Sequence, residues 1–151
     1  MTDRLLAILA MSVAYSTVLA DNAVPHFEYR CLVHDDYRRT CFTLEIADEP
    51  EERNFGLMMR ELLAPRHGML FDFEQTQTIG MWMKNTLIPL DMVFLDEQRR
   101  VVFVHRHAEP HSLDIISPPV PVRYTLELNA GDIDRFGIRL GDFLLSRAGI
   151  P

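Results

Sequence analysis

The chain consists mostly of short runs in which apolar residues alternate with polar ones or form a brief unbroken stretch. Such runs, rich in branched and aromatic side chains, predict strands that are half or fully buried. In chain order they read CFTLEIA, GMLFDF, LDMVFLD, RVVFVHRH, RYTLELN and GDFLLSR. Because the polar turn DEQRR joins LDMVFLD to RVVFVHRH, these two runs are predicted to pair as strands.

Two other segments have helical spacing and helical end signals. In EPEERNFGLMMRELL, Pro50 suits a first helical turn, and apolar residues recur at helical spacing until about Arg60. In NAGDIDRFG, Asn129 predicts an N-cap and Gly137 a C-terminal stop. Since helices and strands do not alternate as β-α-β units, we predict a mainly β fold, an antiparallel sandwich or partly open barrel with two short helices.

A proline-rich stretch lies between the predicted strands RVVFVHRH and RYTLELN. Residues 109–121 contain four prolines, and proline can occupy neither a helix interior nor a central strand. The stretch is therefore predicted to be a long irregular loop. Long loops of this kind in compact domains are often binding loops.

The N-terminal pattern differs from the rest of the chain. A short charged start, an apolar stretch and small residues before Asp21 predict a signal peptide over residues 1–20, cleaved after Ala20. The apolar stretch is shorter than the roughly 20 residues of a spanning helix, and a retained anchor is the alternative. We predict a periplasmic or extracellular protein whose residues 21–151 form one β-rich domain without a membrane span.

Charge and motifs narrow the classes of function. The formal net charge is −7 and the pI is about 5.3, whereas a nucleic-acid-binding protein needs a basic face. Neither a glycine-rich phosphate loop nor a G-x-S-x-G nucleophile motif is present in the sequence. We therefore expect no nucleic-acid partner and no cofactor.

The two cysteines flank a polar segment, LVHDDYRRT. In an oxidising compartment, Cys31 and Cys41 are most simply joined as one disulfide. The bond would link the two arms of an N-terminal hairpin. A redox pair usually has C-x-x-C spacing, and a zinc site needs further ligands, so both are weaker alternatives.

The segment MWMKNTLIPLD, residues 81–91, places polar side chains around the only tryptophan. If MWMKN is extended, Trp82 and Lys84 point to one face of the strand. Asn85 and a following proline then favour a turn, and pairing with LDMVFL would bring Lys84 near Asp91. A charge pair beside an aromatic ring can bind a polar ligand, but the same residues also suit a core tryptophan and a structural turn.

Several segments together resemble the family called domain of unknown function 192. They are ADEPEERNFGLMMREL, GMLFDF, MWMKNTLIPLDMVFLD, YTLELNAG and GIRLGD, and the resemblance covers about residues 42–147. It implies a small exported or membrane-associated protein with a mainly β fold, and it supplies no activity. The family motif matches this chain at five positions that we take as candidate ligand-binding residues: Arg60, Trp82, Lys84, Asn85 and Asp91.

Three histidines form a separate, weaker candidate site. His105 and His107 fall on one face of the strand RVVFVHRH, and His111 follows shortly after. Imidazoles at this spacing can bind zinc or copper. Because a polar strand end explains them equally well, we expect no metal.

Three functions are compatible with these patterns. The first is an exported binding or accessory module for a polar or anionic small molecule or envelope component. The second is a structural or partner-binding protein, which should bury Trp82 fully. The third is an envelope hydrolase with Asp91 as base and Lys84 or Arg60 stabilising charge, which should have a perturbed carboxylate in an open pocket. For the first, we predict that Arg60, Trp82, Lys84 and Asn85 converge on one cavity with residues 109–121 on its rim. Separately, we predict that Asp91 pairs with a cation, either Lys84 or an arginine of EERNFGLMMR.

Overall fold

Seven strands of one sheet and two short helices form the part of the chain, residues 24–145, that this computed structural model describes. The strands are β1 (Phe27–Val33), β2 (Arg39–Ala47), β3 (His67–Gln77), β4 (Leu90–Leu95), β5 (Val101–Ala108), β6 (Val122–Asn129) and β7 (Phe143–Leu144). The helices are α1 (Pro50–Phe55) and α2 (Asp132–Phe136). The predicted signal peptide, residues 1–20, lies outside the described residues.

The sheet is mostly antiparallel and runs in the order β5-β4-β6-β3-β2-β1-β7. One neighbouring pair, β2 and β3, is parallel. A parallel pair needs a connection that crosses a face of the sheet, and residues 48–66, which include α1, make this crossover. The sheet is therefore largely antiparallel, with one parallel pair.

The sheet curls until its two edges meet. A bridge links Arg100 to Phe143, and the N–H of Val101 donates to the carbonyl oxygen of Asp142 at 2.8 Å. The result is a half-barrel with two short helices, so the mainly β prediction is confirmed in its partly open barrel form.

The inside of the curl holds one core, and α2 covers one end of it. The buried side chains of this inner core are Leu32, Phe42, Leu44, Ile46, Leu70, Val93, Leu95, Val101, Tyr124, Leu126, Leu128, Ile133, Ile138 and Leu144. Every strand and α2 contribute at least one of these side chains, and β5 contributes only its first residue, Val101. Because alternate residues of a strand point into this core, the sequences of β2 and β6 alternate between apolar and polar residues.

A second core lies on the outer face of the sheet. Its buried members are Ala47, Leu57, Met69, Phe71, Ile79, Met81, Met83, Leu90, Met92, Phe94, Ala108 and Val122. The crossover after β2 and residues 79–83 cover this face. Because β4 is covered on both faces, all six of its residues are buried, which accounts for its continuous apolar run.

The predicted hairpin between MWMKN and LDMVFL is wrong. Residues 78–89 form no strand beyond a single bridge of Met81 with Ile116. β4 pairs instead with β5 and β6. The apolar residues of this segment are buried because they pack down on the outer core, not because they belong to the sheet.

The N-terminal hairpin is present, with its disulfide. Cys31 and Cys41 lie directly opposite each other on β1 and β2, and their Sγ atoms are bonded. The predicted cysteine pairing is confirmed. No helix within residues 24–145 has both the length and the apolar character to cross a membrane.

Candidate functional site

A cavity of about 360 Å³ opens on the outer face of the sheet. Its walls come from α1 and the residues after it, from β3, and from residues 80–86. The lining includes four aromatic side chains, Phe55, Phe71, Phe73 and Trp82. A concave space of this size, lined by apolar and aromatic residues with a few polar groups, is typical of small-molecule sites.

Arg53 holds α1 over the end of β3. Its guanidinium donates to the backbone carbonyl oxygens of Asp48 and, at 2.8 Å, of Asp72. It also contacts the Glu74 carboxylate at 3.2 Å. At the start of α1, the Glu52 carboxylate accepts from the N–H of Glu49 at 3.2 Å, so Glu49 occupies the N-cap position.

Gly56 ends α1 and lets the chain approach the sheet closely. Its φ of 52° and ψ of −136° lie where only glycine is readily accommodated. A β carbon at this position would stand 3.2 Å from Cζ of Phe71. The turn directs Leu57 into the outer core, and α1 remains above the cavity.

The opposite wall, residues 80–86, is supported from behind by the proline-rich loop. The N–H of Met81 donates to the carbonyl oxygen of Ile116 at 2.9 Å, and that of Met83 to Ser112 at 3.0 Å. No residue of 109–121 lines the cavity itself. The prediction that this loop forms the rim is wrong, because the loop packs on the far side of the wall.

Glu127 lines the cavity from β6 and was not predicted. Its neighbours across the sheet are Met69 and Met92, and only 4% of the residue is exposed. Within residues 24–145, no hydrogen bond or ion pair reaches its carboxyl group. Burial raises the pKa of Glu127 to about 8, so the group is mostly uncharged at neutral pH. Thr125, on the same face, has a buried hydroxyl without a hydrogen-bond partner in residues 24–145.

Trp82 is the one predicted ligand-binding residue that lines the cavity. It is 44% exposed, which differs from the full burial expected of a purely structural tryptophan. Lys84 lies beside it, with Nζ 5.0 Å from the centre of its ring. Lys84 itself does not line the cavity.

Arg60 and Asn85 lie near the same segment but outside the cavity lining. The Arg60 guanidinium donates to the Glu45 carboxylate at 2.6 Å. Asn85 has a φ of 55°, and its carbonyl oxygen accepts from the N–H of Met59 at 2.9 Å, as expected of a turn residue. A ligand-binding role for Arg60, Lys84 and Asn85 stays a prediction.

Asp91 points away from the cavity, to the side of the sheet that α2 covers. Its carboxylate accepts from the backbone N–H groups of His107 at 2.9 Å, Gly131 at 3.0 Å and Ile133 at 2.9 Å. No Lys or Arg within the described part of the chain is in salt-bridge reach of it. The predicted cation pairing is wrong, because three amides satisfy this buried charge instead.

The same contacts correct the predicted cap of α2. Gly131, not Asn129, occupies the N-cap position, and the side chain that accepts from the first turn is that of Asp91. Asn129 donates instead to the carbonyl oxygen of Leu63 at 3.2 Å. The C-terminal stop at Gly137 is as predicted.

The three candidate metal-binding histidines are not gathered into a site. His105 lies on β5 opposite Met92, His107 has a φ of 53° near the end of β5, and His111 has a φ of 63° in the following loop. Among residues 24–145, no group of three or more His, Cys, Asp or Glu could hold one metal ion.

The cavity could therefore act through one buried carboxyl group among aromatic and thioether side chains. An uncharged carboxyl can donate and accept hydrogen bonds, and it can lose its proton to pair with a cation. A reader of the sequence alone sees Glu127 as the outward polar residue of the alternating strand RYTLELN. The alternation in this strand does not predict that the crossover will cover the outer face and bury Glu127.

Comparison with known proteins gives relatives of the same fold. Over 83% of its length, this chain superimposes on 97% of a proposed transcription regulator from Sinorhizobium meliloti 1021, with 44% identity and a TM-score of 0.80. It also matches a protein of unknown function from Novosphingobium aromaticivorans DSM 12444, at 29% identity and a TM-score of 0.76, over 83% of this chain and 95% of that one. Curated proteins contain no match.

The family model described as an uncharacterised ACR, domain of unknown function 192, matches residues 32–145. This range contains both walls of the cavity, the buried Glu127 and one of the two disulfide cysteines, Cys41. The predicted family resemblance is confirmed, and the chain belongs to the domain of unknown function 192 family.

Proposed function

We propose that the protein is a binding module of the cell envelope that holds a small molecule in the cavity above Glu127. The observation that carries the proposal is the Glu127 carboxyl group, which is buried, lacks a hydrogen-bond partner within residues 24–145 and lines open space. Leaving such a group unpaired costs roughly 1–3 kcal/mol. A ligand that bonds to it would remove that cost.

The surroundings of the cavity support binding more than a purely structural role. Phe55 and Trp82 are exposed large side chains that both line the cavity. Exposed aromatic residues around a concave space are typical of sites that bind a partly apolar molecule. The predicted residues Arg60, Lys84 and Asn85 would then contact only a ligand that extends beyond the cavity.

Export rests on two observations. The N-terminal pattern predicts a signal peptide, and the Cys31–Cys41 bond is compatible with an oxidising compartment. The Sinorhizobium relative is described as a proposed transcription regulator. The net charge of −7 in this chain gives no support to DNA binding, which depends on a basic face.

A hydrolase that uses Asp91 as base is the weaker candidate. Three backbone amides hold the Asp91 carboxylate, and it does not line the cavity. A general base must reach the proton that it removes. Glu127 has the perturbed pKa expected of a catalytic carboxyl. The described lining offers no second acid, and its one hydroxyl, that of Thr86, donates to the carbonyl oxygen of Lys84.

The proposal is tested by native mass spectrometry of protein purified gently from the cell envelope of its own organism. We expect a bound small molecule on the wild type and its loss from Trp82→Ala, because Trp82 forms part of the cavity wall. Tyr29→Ala is the matched control, since Tyr29 is an exposed aromatic residue of β1 outside the cavity. Wild-type protein without any bound molecule, or equal loss in both variants, would contradict the proposal.

A further inference from the structure

We propose that the group bound at Glu127 is an organic ammonium carried on a compact apolar body. The inference rests on the proposed binding function and names the chemical class of its ligand. Two independent observations support it: the charged side chains of the cavity and the aromatic side chains around it.

Only two charged or ionisable side chains, Arg53 and Glu127, are among the described residues that line the cavity. The Arg53 guanidinium already donates to two backbone carbonyl oxygens and to Glu74. Its positive charge is therefore paired within the protein. The Glu127 carboxyl is the group that remains available, and as a carboxylate it binds cations.

The aromatic side chains favour the same sign of charge. The faces of Phe55, Phe71, Phe73 and Trp82 carry negative electrostatic potential, and rings around a site attract ammonium groups. Trp82 already binds one ammonium within the protein, that of Lys84, at 5.0 Å from the ring centre. An anionic ligand would instead meet the negative faces of the rings.

The buried carboxyl also makes cation binding selective. Outside a complex, Glu127 is kept uncharged by desolvation. When an ammonium binds, the Glu127 proton leaves to solvent. The positive charge of the ammonium then stands beside the carboxylate in place of the proton. A neutral ligand of the same shape gains hydrogen bonds only, and a bound anion would keep the proton in place.

The other charged groups on this face of the sheet are already paired or distant. Glu45, two strands from Glu127 in the same row, is held by Arg60 at 2.6 Å. His105 lies two strands away on the other side, beyond Met92. In the crossover, Arg53 is paired with Glu74. Lys84 contacts the Trp82 ring and does not line the cavity. His67, two residues before Met69 on β3, has its Nδ1 3.1 Å from the carbonyl oxygen of Pro65 and is also outside the lining. Proton release on binding is therefore assigned to Glu127.

Three probes with one apolar body test the inference: 3,3-dimethylbutylammonium, 3,3-dimethylbutanol and 3,3-dimethylbutanoate, titrated into the full mature protein while Trp82 fluorescence is recorded. Trp82 is the only tryptophan, so the signal reports on the cavity. We expect the ammonium to bind more tightly than the alcohol and the carboxylate. Its affinity should rise with pH, by up to about tenfold per pH unit, and become constant above the Glu127 pKa of about 8.

Glu127→Gln removes the carboxylate but keeps the shape of the side chain, so it distinguishes the contribution of charge to binding from that of cavity shape. The variant should lose the preference for the ammonium and its dependence on pH, while any binding of the alcohol persists. Glu51→Gln, the same change at an exposed position of α1, should behave as the wild type does.

Each outcome decides the inference. The inference would be overturned if the alcohol or the carboxylate bound as tightly as the ammonium or more tightly. It would also be overturned if Glu127→Gln left ammonium binding unchanged, or if the ammonium did not bind at millimolar concentrations. The wild-type pH dependence is a test even if Glu127→Gln does not fold. A non-ammonium molecule recovered from the envelope protein would contradict this inference but leave the proposed binding function intact.

Discussion

Two buried carboxyl groups on neighbouring strands of one sheet have opposite surroundings. The Asp91 carboxylate accepts three backbone N–H bonds and joins β4 to β5 and to the start of α2. The Glu127 carboxyl accepts none within residues 24–145 and faces the cavity. Asp91 therefore contributes to the fold, whereas Glu127 lowers its stability at neutral pH.

Glu127→Gln should stabilise the protein in a manner that depends on pH. Because the folded-state pKa of about 8 lies above the ordinary value of 4.5, the wild type binds an extra proton when folded, and its stability falls as pH rises from about 4.5 to about 8. Glutamine removes this loss. We expect nearly equal stability at pH 4.5 and a gain of up to about 5 kcal/mol at pH 8.

Urea unfolding at both pH values measures this difference in unfolding free energy. Glu51→Gln is the control for the loss of an exposed carboxylate, and it should change little at either pH. A difference between Glu127→Gln and wild type that is the same at pH 4.5 and pH 8 would refute the raised pKa.

Asp91→Asn should destabilise the fold strongly. The amide keeps one oxygen acceptor and points an NH₂ group at backbone N–H donors, so at least one of the three bonds is lost. We expect a loss of about 3 kcal/mol or more in unfolding free energy. Asp96→Asn is the matched change, since Asp96 accepts one N–H, that of Arg100, in a turn; similar losses for the two would show that the Asp91 contacts have no special role.

Among the elements, α1 has the greatest effect on the site although it has only six residues and none of them is buried. Its position depends on its ends. Arg53 ties it to β3, and Gly56 turns the chain down beside Phe71. A helix this short is not stable by itself, so these contacts determine where the cavity wall lies.

Gly56→Ala should destabilise the protein more than Gly137→Ala does. Both glycines have positive φ, but Gly137 has an ordinary left-handed conformation with φ 67° and ψ 39°. At Gly56 the added carbon would also approach Phe71 to 3.2 Å. Thermal unfolding should show about 1 kcal/mol for Gly137→Ala and roughly 2–3 kcal/mol for Gly56→Ala. Equal losses would mean that Phe71 moves aside freely.

Strand alternation predicted the sheet well because each half-buried strand carries its own period-two pattern. The same reasoning failed for MWMKN, since an apolar run that packs over a sheet looks like a strand within it. Glu127 was missed for a related reason. The crossover that covers it begins at residue 48, which is 79 residues earlier in the chain, and no local pattern in RYTLELN contains that contact.

The curled sheet as a whole is closed near its N-terminal hairpin. β7, with only two residues, pairs with β1, and its neighbours also bond to the start of β5. The disulfide joins β1 to β2 in the same region. A buried contact between His34 and Asp142, at 2.8 Å, links that hairpin to the approach to β7. The region where the two edges of the sheet meet is therefore held together by a few backbone hydrogen bonds, the His34–Asp142 contact and one disulfide.

Protein recovered from the cell envelope should carry the Cys31–Cys41 bond. Its intact mass should not change with an alkylating reagent unless a reductant is added first. Reduction should lower the unfolding free energy by about 2–3 kcal/mol, because the bond closes a short loop in the unfolded chain. Two alkylatable thiols in unreduced envelope protein would contradict the bond.

The parallel pair β2–β3 has a consequence for how this architecture can diversify. Since the connection between parallel neighbours must pass over the sheet, one wall of the cavity is a surface connection of residues 48–66, whereas Glu127 belongs to the sheet. Insertions or replacements in that connection leave every strand pairing intact. Under the proposed binding function, we therefore expect that transplanting this one segment changes the ligand preference of the protein, while Glu127 stays at the bottom of the cavity.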